Sequence, residues 1–436
     1  MIFGKKNIEA TANRIRENSK QNYWAIVRRQ FRKNRLAVWS LRFLYFLMFI
    51  ALFADFIANE KPLYCKIDGQ NYFPVAQEYA VNLGLKQWDE ALVNIKWHDY
   101  DYEAVRFPLI PYSFNTLDLK NSNYKSPSGK QRVKSKWFRH RLGTDQLGRD
   151  VAAGMISGTR TAMLVGVIAM SIASIIGLFL GAIAGYFGDN RLKMSRIRFY
   201  LNILALIIGY FYAFSTRTYA FIEGPFVYQF LKSLLIFSVF MVAANLLATA
   251  LKRIPALGKS MVIPADMIIM RIIEIIRSIP GLLLILSVVA VIEKASVFYV
   301  MIIIGLISWT GIAQFIRAEL LRIRQMEFIE ASQAMGFSER HIIMKHAVPN
   351  ALTPVLITIA FGMASAILLE AFLSFLGIGM PTDSVTWGSM LNLSRPNPKA
   401  WWLAIFPGFA IFITVTIFNL LGEGLTDAMD PKATKD

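Results

Sequence analysis

The sequence predicts an all-α polytopic membrane protein of about eight spans, with one long loop outside the membrane. Three observations carry this reading. Hydrophobic residues make up 55% of the 436 and charged residues only 17%, against roughly 25% charged in an ordinary soluble protein. Apolar runs recur near the length of roughly 20 residues that a helix needs to cross a bilayer core of about 30 Å. The net charge of +18 gathers between those runs, as basic residues do where they orient a membrane protein. These features exclude a disordered chain and a coiled coil. Cys65 is the lone cysteine, so no intrachain disulfide or CxxC pair can form. Nucleic-acid binding is the other reading of a basic chain, and the topological placement of the charges argues against it.

The spans follow in order. Phe43 to Ile57 is apolar except for Asp55, and about 40 residues precede it, too many for a cleaved signal peptide. Ala162 to Phe187 carries no charge. Phe199 to Phe214 and Leu234 to Leu251 are shorter runs. Ile279 to Ile292 is lengthened backwards to Met267 past Arg271, Glu274 and Arg277. Ala295 to Ile316 is uncharged, Ala351 to Met380 carries only Glu370, and Ala400 to Leu421 is again uncharged.

Basic residues orient the set. The N-terminal arm holds Lys5, Lys6, Arg14, Arg16, Lys20, Arg28, Arg29, Arg32, Lys33 and Arg35. It should be cytoplasmic, and alternation keeps Arg191 to Arg198, Lys252 to Lys259 and Arg317 to Lys345 on the same side. The chain then divides into a cytoplasmic arm and first anchor (1–58), an extracytoplasmic loop (59–160), a transmembrane domain (161–422) and a cytoplasmic tail (423–436). Both termini are expected inside. From Tyr23 to Leu44, aromatic and aliphatic residues alternate with Arg and Lys; this suits an amphipathic helix on the inner membrane surface or a plain positive anchor.

Little in the chain suggests catalysis. No HExxH, GxSxG or complete Walker A occurs; Gly258-Lys259-Ser260 has Arg253 where a phosphate loop needs glycine. The histidines His98, His140, His341 and His346 lack metal-ligand spacing, so no catalytic residue, metal site or cofactor in this chain is expected. Ala169, Ala173, Gly177, Gly181 and Gly185 recur every four residues and form one small helical face, on which another helix can pack closely in lipid. Glu370 lies within an apolar run, where a charge is expensive and either faces a cavity or finds a partner. Residues 327–350 suit a short helix, a break at Gly336 and a second helix stopped near Pro349. That helix–turn–helix is either a rigid knob for a soluble partner or an ordinary amphipathic loop.

This segment resembles the EAA loop of ABC importer permeases: Glu330-Ala331-Ser332, then Gly336, then Pro349, with Ser332 in place of the usual second alanine. The ending from His346 to Asn350 is similar to the peptide-importer branch. So are His140-Arg141-Leu142-Gly143-Thr144-Asp145-Gln146-Leu147-Gly148-Arg149-Asp150, Gly185-Tyr186-Phe187-Gly188, the stretch Leu369 to Gly377, Trp387-Gly388 and the stretch Asn419 to Pro431. The resemblance implies the transmembrane fold of a type I ABC importer. The eight spans then read as six family spans plus two inserted at about 190–265. That insert could instead be a re-entrant hairpin, and the long outer loop could fold as a small cap.

The resemblance further implies a bacterial inner-membrane permease that forms half of a peptide pathway. Its partners would be a second permease, two ATPase subunits that hold ATP-Mg, an extracytoplasmic binding protein, peptide and membrane lipid, with no nucleic acid. Glu330, Ala331, Ser332, Gly336, His346, Pro349 and Asn350 would form the ATPase-coupling loop. Glu370, Ser374 and Phe375 would line or gate the path. Gly143, Thr144, Asp145, Gly148, Arg149 and Asp150 would brace the outer entrance, and Gly177, Gly181 and Gly185 would pack helices. The alternatives are the same assembly carrying nickel or another small solute, and a solitary secondary transporter. The latter needs in-membrane charges of which only Glu370 stands out.

Overall fold

A computed structural model of the chain describes residues 25–93, 95–252, 254, 258–291, 296–379 and 384–429. The first half of the basic arm, Arg253 and residues 430–436 lie outside the described residues. The chain forms two compact units.

The first unit comprises Met1–Leu178, Ile276–Ile316 and Met344–Asp436. Residues 25–33 are helical and lead into α1, Arg35–Leu52. The helix starts eight residues before the apolar run because the Asn34 side chain accepts from the Ala37 N–H at 3.1 Å and caps it. It ends short of Ile57, where a separate turn, Ala54–Ile57, begins. Arg160 explains the early stop. Its Nε donates to the Ala51 carbonyl at 2.9 Å and its Nη1 to Asp55 at 2.9 Å. The one acidic residue of the first apolar run is therefore paired.

The loop after α1 is not helical throughout, which qualifies the all-α expectation. It folds as a cap around a three-stranded antiparallel sheet: β1 (Tyr64–Ile67), β2 (Gln70–Tyr72) and β3 (Ala104–Arg106), in the order β2-β1-β3. Asp68 and Gly69, at φ 50 and 76, make the hairpin turn between β1 and β2. Buried Cys65, Ile67 and Leu92, with Tyr72, Trp88 and Trp97 against them, form its core. Burial pushes the Cys65 thiol up to about 11, so it is an inert core residue.

Helix α2, Val151–Phe187, begins nine residues before the expected loop boundary at 160, capped by Asp150. Further along are α6 (Gly281–Val291), α7 (Val297–Ile323), α10 (Val348–Phe375), the short α11 (Trp387–Ser394) and α12 (Trp402–Met429). Helix α12 runs to Met429, beyond the expected tail boundary at 423, because its last turns still pack: a side chain at Gly424 would meet Ala37 Cβ at 2.3 Å. One buried cluster joins Leu47 of α1, Ile367 of α10, Trp387 of α11 and Phe418 of α12. A second joins Val165 of α2, Ile285 of α6, Ile304 of α7 and Leu373 of α10.

The second unit comprises Phe179–Ile275 and Arg317–Ile343. It contains the insert, formed by α3 (Arg196–Ala213) and α4 (Phe226–Leu251), which pack on each other. Both are long helices, not a re-entrant turn. A two-stranded ribbon, β4 (Lys193–Ser195) with β5 (Ser260–Val262), clips its two ends together. Helix α5, Ala265–Ser278, follows, then in later sequence α8 (Glu327–Ala334) and the turn α9 (Glu339–Ile342).

Seven helices are long and apolar enough to cross a membrane among the described residues, and α5 with α6 makes up to eight. The expected fifth span is therefore not straight: α5 and α6 meet at an 82° bend. Pro280 sits at the break, lacking the N–H that a continuous helix needs.

Candidate functional site

Three clusters hold the residues that the sequence singles out. The first is the loop from His140 to Asp150. Gly143 and Gly148 adopt φ of 82 and 86, and a side chain at Gly148 would meet the Asp118 carbonyl oxygen at 2.1 Å. Only glycine fits that approach. Between them Thr144 is fully buried. Its hydroxyl donates to the Asn121 carbonyl at 2.7 Å, and its own carbonyl accepts from Trp402 Nε1 at 3.0 Å. Asp145 ties the loop to itself, accepting from the Leu147 and Arg149 N–H groups at 2.9 Å and from Arg149 Nε at 2.6 Å.

Asp150 has two roles. One oxygen caps α2, accepting from the Ala153 N–H at 2.7 Å; the other faces His140 Nδ1 at 2.8 Å. His140 Nε2 lies 3.2 Å from Asp118, and the ring stacks on Tyr112 with centroids 4.3 Å apart. Burial lowers the affinity of His140 for its proton, but the hydrogen bonds and charges of Asp150 and Asp118 outweigh it, so the imidazole titrates above its ordinary range. Burial likewise opposes ionisation of Asp118, yet bonds from Asn121 and His140 hold its carboxyl below the usual range. The six residues expected at the outer entrance are thus brought together, as a locked brace rather than a row of free side chains.

The second cluster surrounds Glu370. It is 2% exposed and near the end of α10. Ser374 Oγ donates to Glu370 Oε1 at 2.5 Å, and Thr386, the cap of α11, also bonds it. A cavity of about 350 Å³ lies alongside, lined by Asp145, Arg149, Asp150, Ser374, Ser389 and Asn392 among others. Ser374 reaches its wall; Glu370 and Phe375 do not. Phe375 is half-buried, its carbonyl accepting from Asn392 Nδ2 at 2.6 Å and its ring under the Arg395 guanidinium at 5.5 Å. Glu370 therefore ties α11 to α10, and the cavity is walled by the His140–Asp150 loop and α11.

The third cluster is the 327–350 segment. Helix α8 ends where Gly336 turns to φ 79. The Gly336 N–H donates to the Gln333 carbonyl at 2.9 Å and the Phe337 N–H to the Ser332 carbonyl at 3.3 Å, the pattern of a glycine-terminated helix. Ser338 then caps α9, accepting from the His341 N–H. Glu330 and Ala331 are exposed, whereas Ser332 is buried, its hydroxyl donating to the Phe328 carbonyl at 2.7 Å. Met335 and Phe337 stand out at the turn, 67% and 45% exposed.

Pro349 does not stop the second helix as expected. A wide π turn over Ile343–Ala347 runs straight into α10, with Pro349 in its first turn. The widened turn makes room for the ring, which would otherwise press on the carbonyl four residues back. Asn350 Nδ2 donates to the carbonyl of buried His346 at 2.7 Å. The turn itself is exposed from Gln333 to Arg340.

The small face of α2 meets α7. A side chain at Gly177 would fall 2.8 Å from Ile312, and one at Gly185 would fall 2.7 Å from the Arg317 carbonyl; Gly181 is buried. The sequence reading missed the partners from distant segments: Asp118 and Asn121 for the brace, Thr386 for Glu370, and Asp266, which holds Arg317 through Nη2 at 2.6 Å. The Asp55–Arg160 pair carried a signal, since Asp55 interrupts an apolar run and needs a cation.

The family profile described as "Binding-protein-dependent transport system inner membrane component" matches residues 256–435. That described as "N-terminal TM domain of oligopeptide transport permease C" matches residues 22–78. A candidate peptide permease protein of Brucella suis biovar 1 is 30% identical over 336 residues, 76% of this chain and 83% of that protein. The inner membrane ABC transporter permease protein YejE of Escherichia coli (strain K12) is 27% identical over 420 residues, 94% of this chain and 96% of that protein. The peptidoglycan transport system permease protein YejE of Agrobacterium fabrum is 27% identical over 430 residues, 93% and 92% of the two chains.

Proposed function

The chain belongs to the peptide permease family of ABC transporters, as a multi-pass inner-membrane component, and from that premise we propose that it forms half of an ATP-driven peptide importer. A second, related permease completes the pathway, two ATPase subunits bind on the cytoplasmic side, and an extracytoplasmic binding protein delivers the cargo. Both termini and the α8–α9 turn face the cytoplasm; the cap and the entrance brace face outward.

The observation that carries the reading is the projecting turn at Gly336. Its surface is exposed at Glu330, Ala331, Met335 and Phe337, while Ile329, Ser332 and Ile342 beneath it are buried. A knob held rigidly from below and apolar at its tip suits a partner's groove. Closure of the ATPases on ATP would then move the knob as a lever and switch the spans between two states, provided that ATP binds one state better. Chemistry stays on the partners; this chain transmits the motion.

Gly336→Asp tests the role. A side chain at φ 79 is strained, and the added charge faces the docking surface. The variant should insert in the membrane normally and lose its ATPase subunits on purification. Normal co-purification would overturn the assignment.

A second reading of the cargo, a peptide-bearing fragment of peptidoglycan, is favoured by the Agrobacterium relative, which matches this chain almost end to end. Competition between a labelled oligopeptide and such a fragment for uptake separates the two.

A further inference from the structure

One cavity belongs to neither the brace nor the knob. It is an apolar groove of about 410 Å³ where residues 25–33 pass α1, α10 and α12, lined by Val27 and Phe31 of the arm, Leu44, Leu356 and Phe418, with Arg28 its one charged wall residue. A slot lined by hydrocarbon does not hold water. Between helices long and apolar enough to cross a membrane, hydrocarbon is the available filling.

Charge identifies the rest of the ligand. Arg28 is exposed, and Arg32 follows one helical turn later on the same face. Arg29, Lys33 and Arg35 are exposed beside them. No ion pair joins any of these to a carboxylate among the described residues. The described carboxylates at the adjoining end of α12 are Glu423 and Asp427, and Asp427 already accepts from Asn34 Nδ2 at 3.2 Å. An apolar slot under a cluster of cations at a membrane surface matches an acyl chain under an anionic headgroup.

We propose that this groove is a binding site for one anionic phospholipid, its acyl chain against Leu44, Leu356 and Phe418 and its phosphate on Arg28 and Arg32. The bound lipid fills the gap between the arm and α10 and so fixes the arm against the spans.

The test uses the full chain purified in mild detergent, then exchanged into nanodiscs of phosphatidylglycerol or phosphatidylcholine and examined by native mass spectrometry. The chain should retain phosphatidylglycerol in preference to phosphatidylcholine. Leu356→Trp, which fills the groove from its exposed side, should abolish retention of either lipid. Arg28→Gln, on the surface and harmless to folding, should weaken phosphatidylglycerol retention about fivefold and leave phosphatidylcholine unchanged, the effect of one arginine at an anionic surface. Equal retention of the two lipids, or retention indifferent to both substitutions, would overturn the proposal. So would a photo-crosslinker at Leu44 that captures residues 1–24 or a neighbouring subunit instead of lipid.

Discussion

Replacing Asp150 should separate the two roles of one buried carboxylate. In Asp150→Ala the Ala153 N–H loses its cap, and His140 loses a partner at 2.8 Å. A lost cap costs about 1 kcal/mol, and a lost hydrogen bond to a charged group costs about 2 kcal/mol. The variant should therefore be about 3 kcal/mol less stable. Asp150→Asn keeps one oxygen for the cap and turns an amide N–H2, in place of an acceptor, to the ring, so it should lose the ring's share alone, about 2 kcal/mol. Placing Asp150→Ala in a His140→Phe background should recover about 2 kcal/mol, because the ring no longer needs the carboxylate. The assay is denaturant unfolding of the purified full chain in one detergent, with protease cleavage between Tyr112 and Asp150 as a local readout. Equal effects of Ala and Asn, or additive effects in the double variant, would refute the two-role account.

Other expectations follow from the same geometry. Because His140 titrates above its ordinary value of 6.5 when folded, its contribution is complete below that value and is lost as pH rises through the raised one. The stability difference between the wild type and His140→Gln should therefore be largest below about pH 6.5 and shrink as pH rises above it, and a difference independent of pH would contradict the buried Asp118–His140–Asp150 cluster. Glu370→Ala leaves the Ser374 and Thr386 hydroxyls without their acceptor and frees α11. Peptide uptake in membrane vesicles should fall while assembly with the partner subunits persists, and unchanged uptake would count against a role in lining or gating the path. Gly177→Leu forces a side chain onto Ile312 and should cost about 1–3 kcal/mol as overpacking. Gly408→Ala, where nothing lies within 4 Å, is the matched control and should be neutral or slightly stabilising in the same thermal scan.

Much of the fold was legible because apolar length is a strong signal. Every expected span has a helix under it, and the two inserted ones are full helices. What periodicity could not give was the helix ends. Those depend on single contacts from far along the chain, as when Arg160 takes the Ala51 carbonyl and stops α1. The fifth span shows the limit most directly: its composition passes, but Pro280 lets α5 and α6 bend by 82°. The cap escaped for another reason. Its strands are three or four residues long, too short for alternation to register.

The candidate site was legible where the motif is local. Gly336 sits in the left-handed turn that its place between two short helices implied. Glu370 was marked by its isolation in an apolar run, but its partner Thr386 lies on another element, and nothing in the spacing joins them. The brace was readable as a motif and not as a mechanism, since Asp118, Asn121 and Trp402 are supplied by other segments.

The most direct test of the importer account is affinity purification of this chain from its native membrane in mild detergent, with mass-spectrometric identification of what remains bound. A second permease and ATPase subunits should be recovered with it. Recovery of the chain alone, under conditions that hold a known importer complex together, would contradict the account and return the solitary transporter as the better reading.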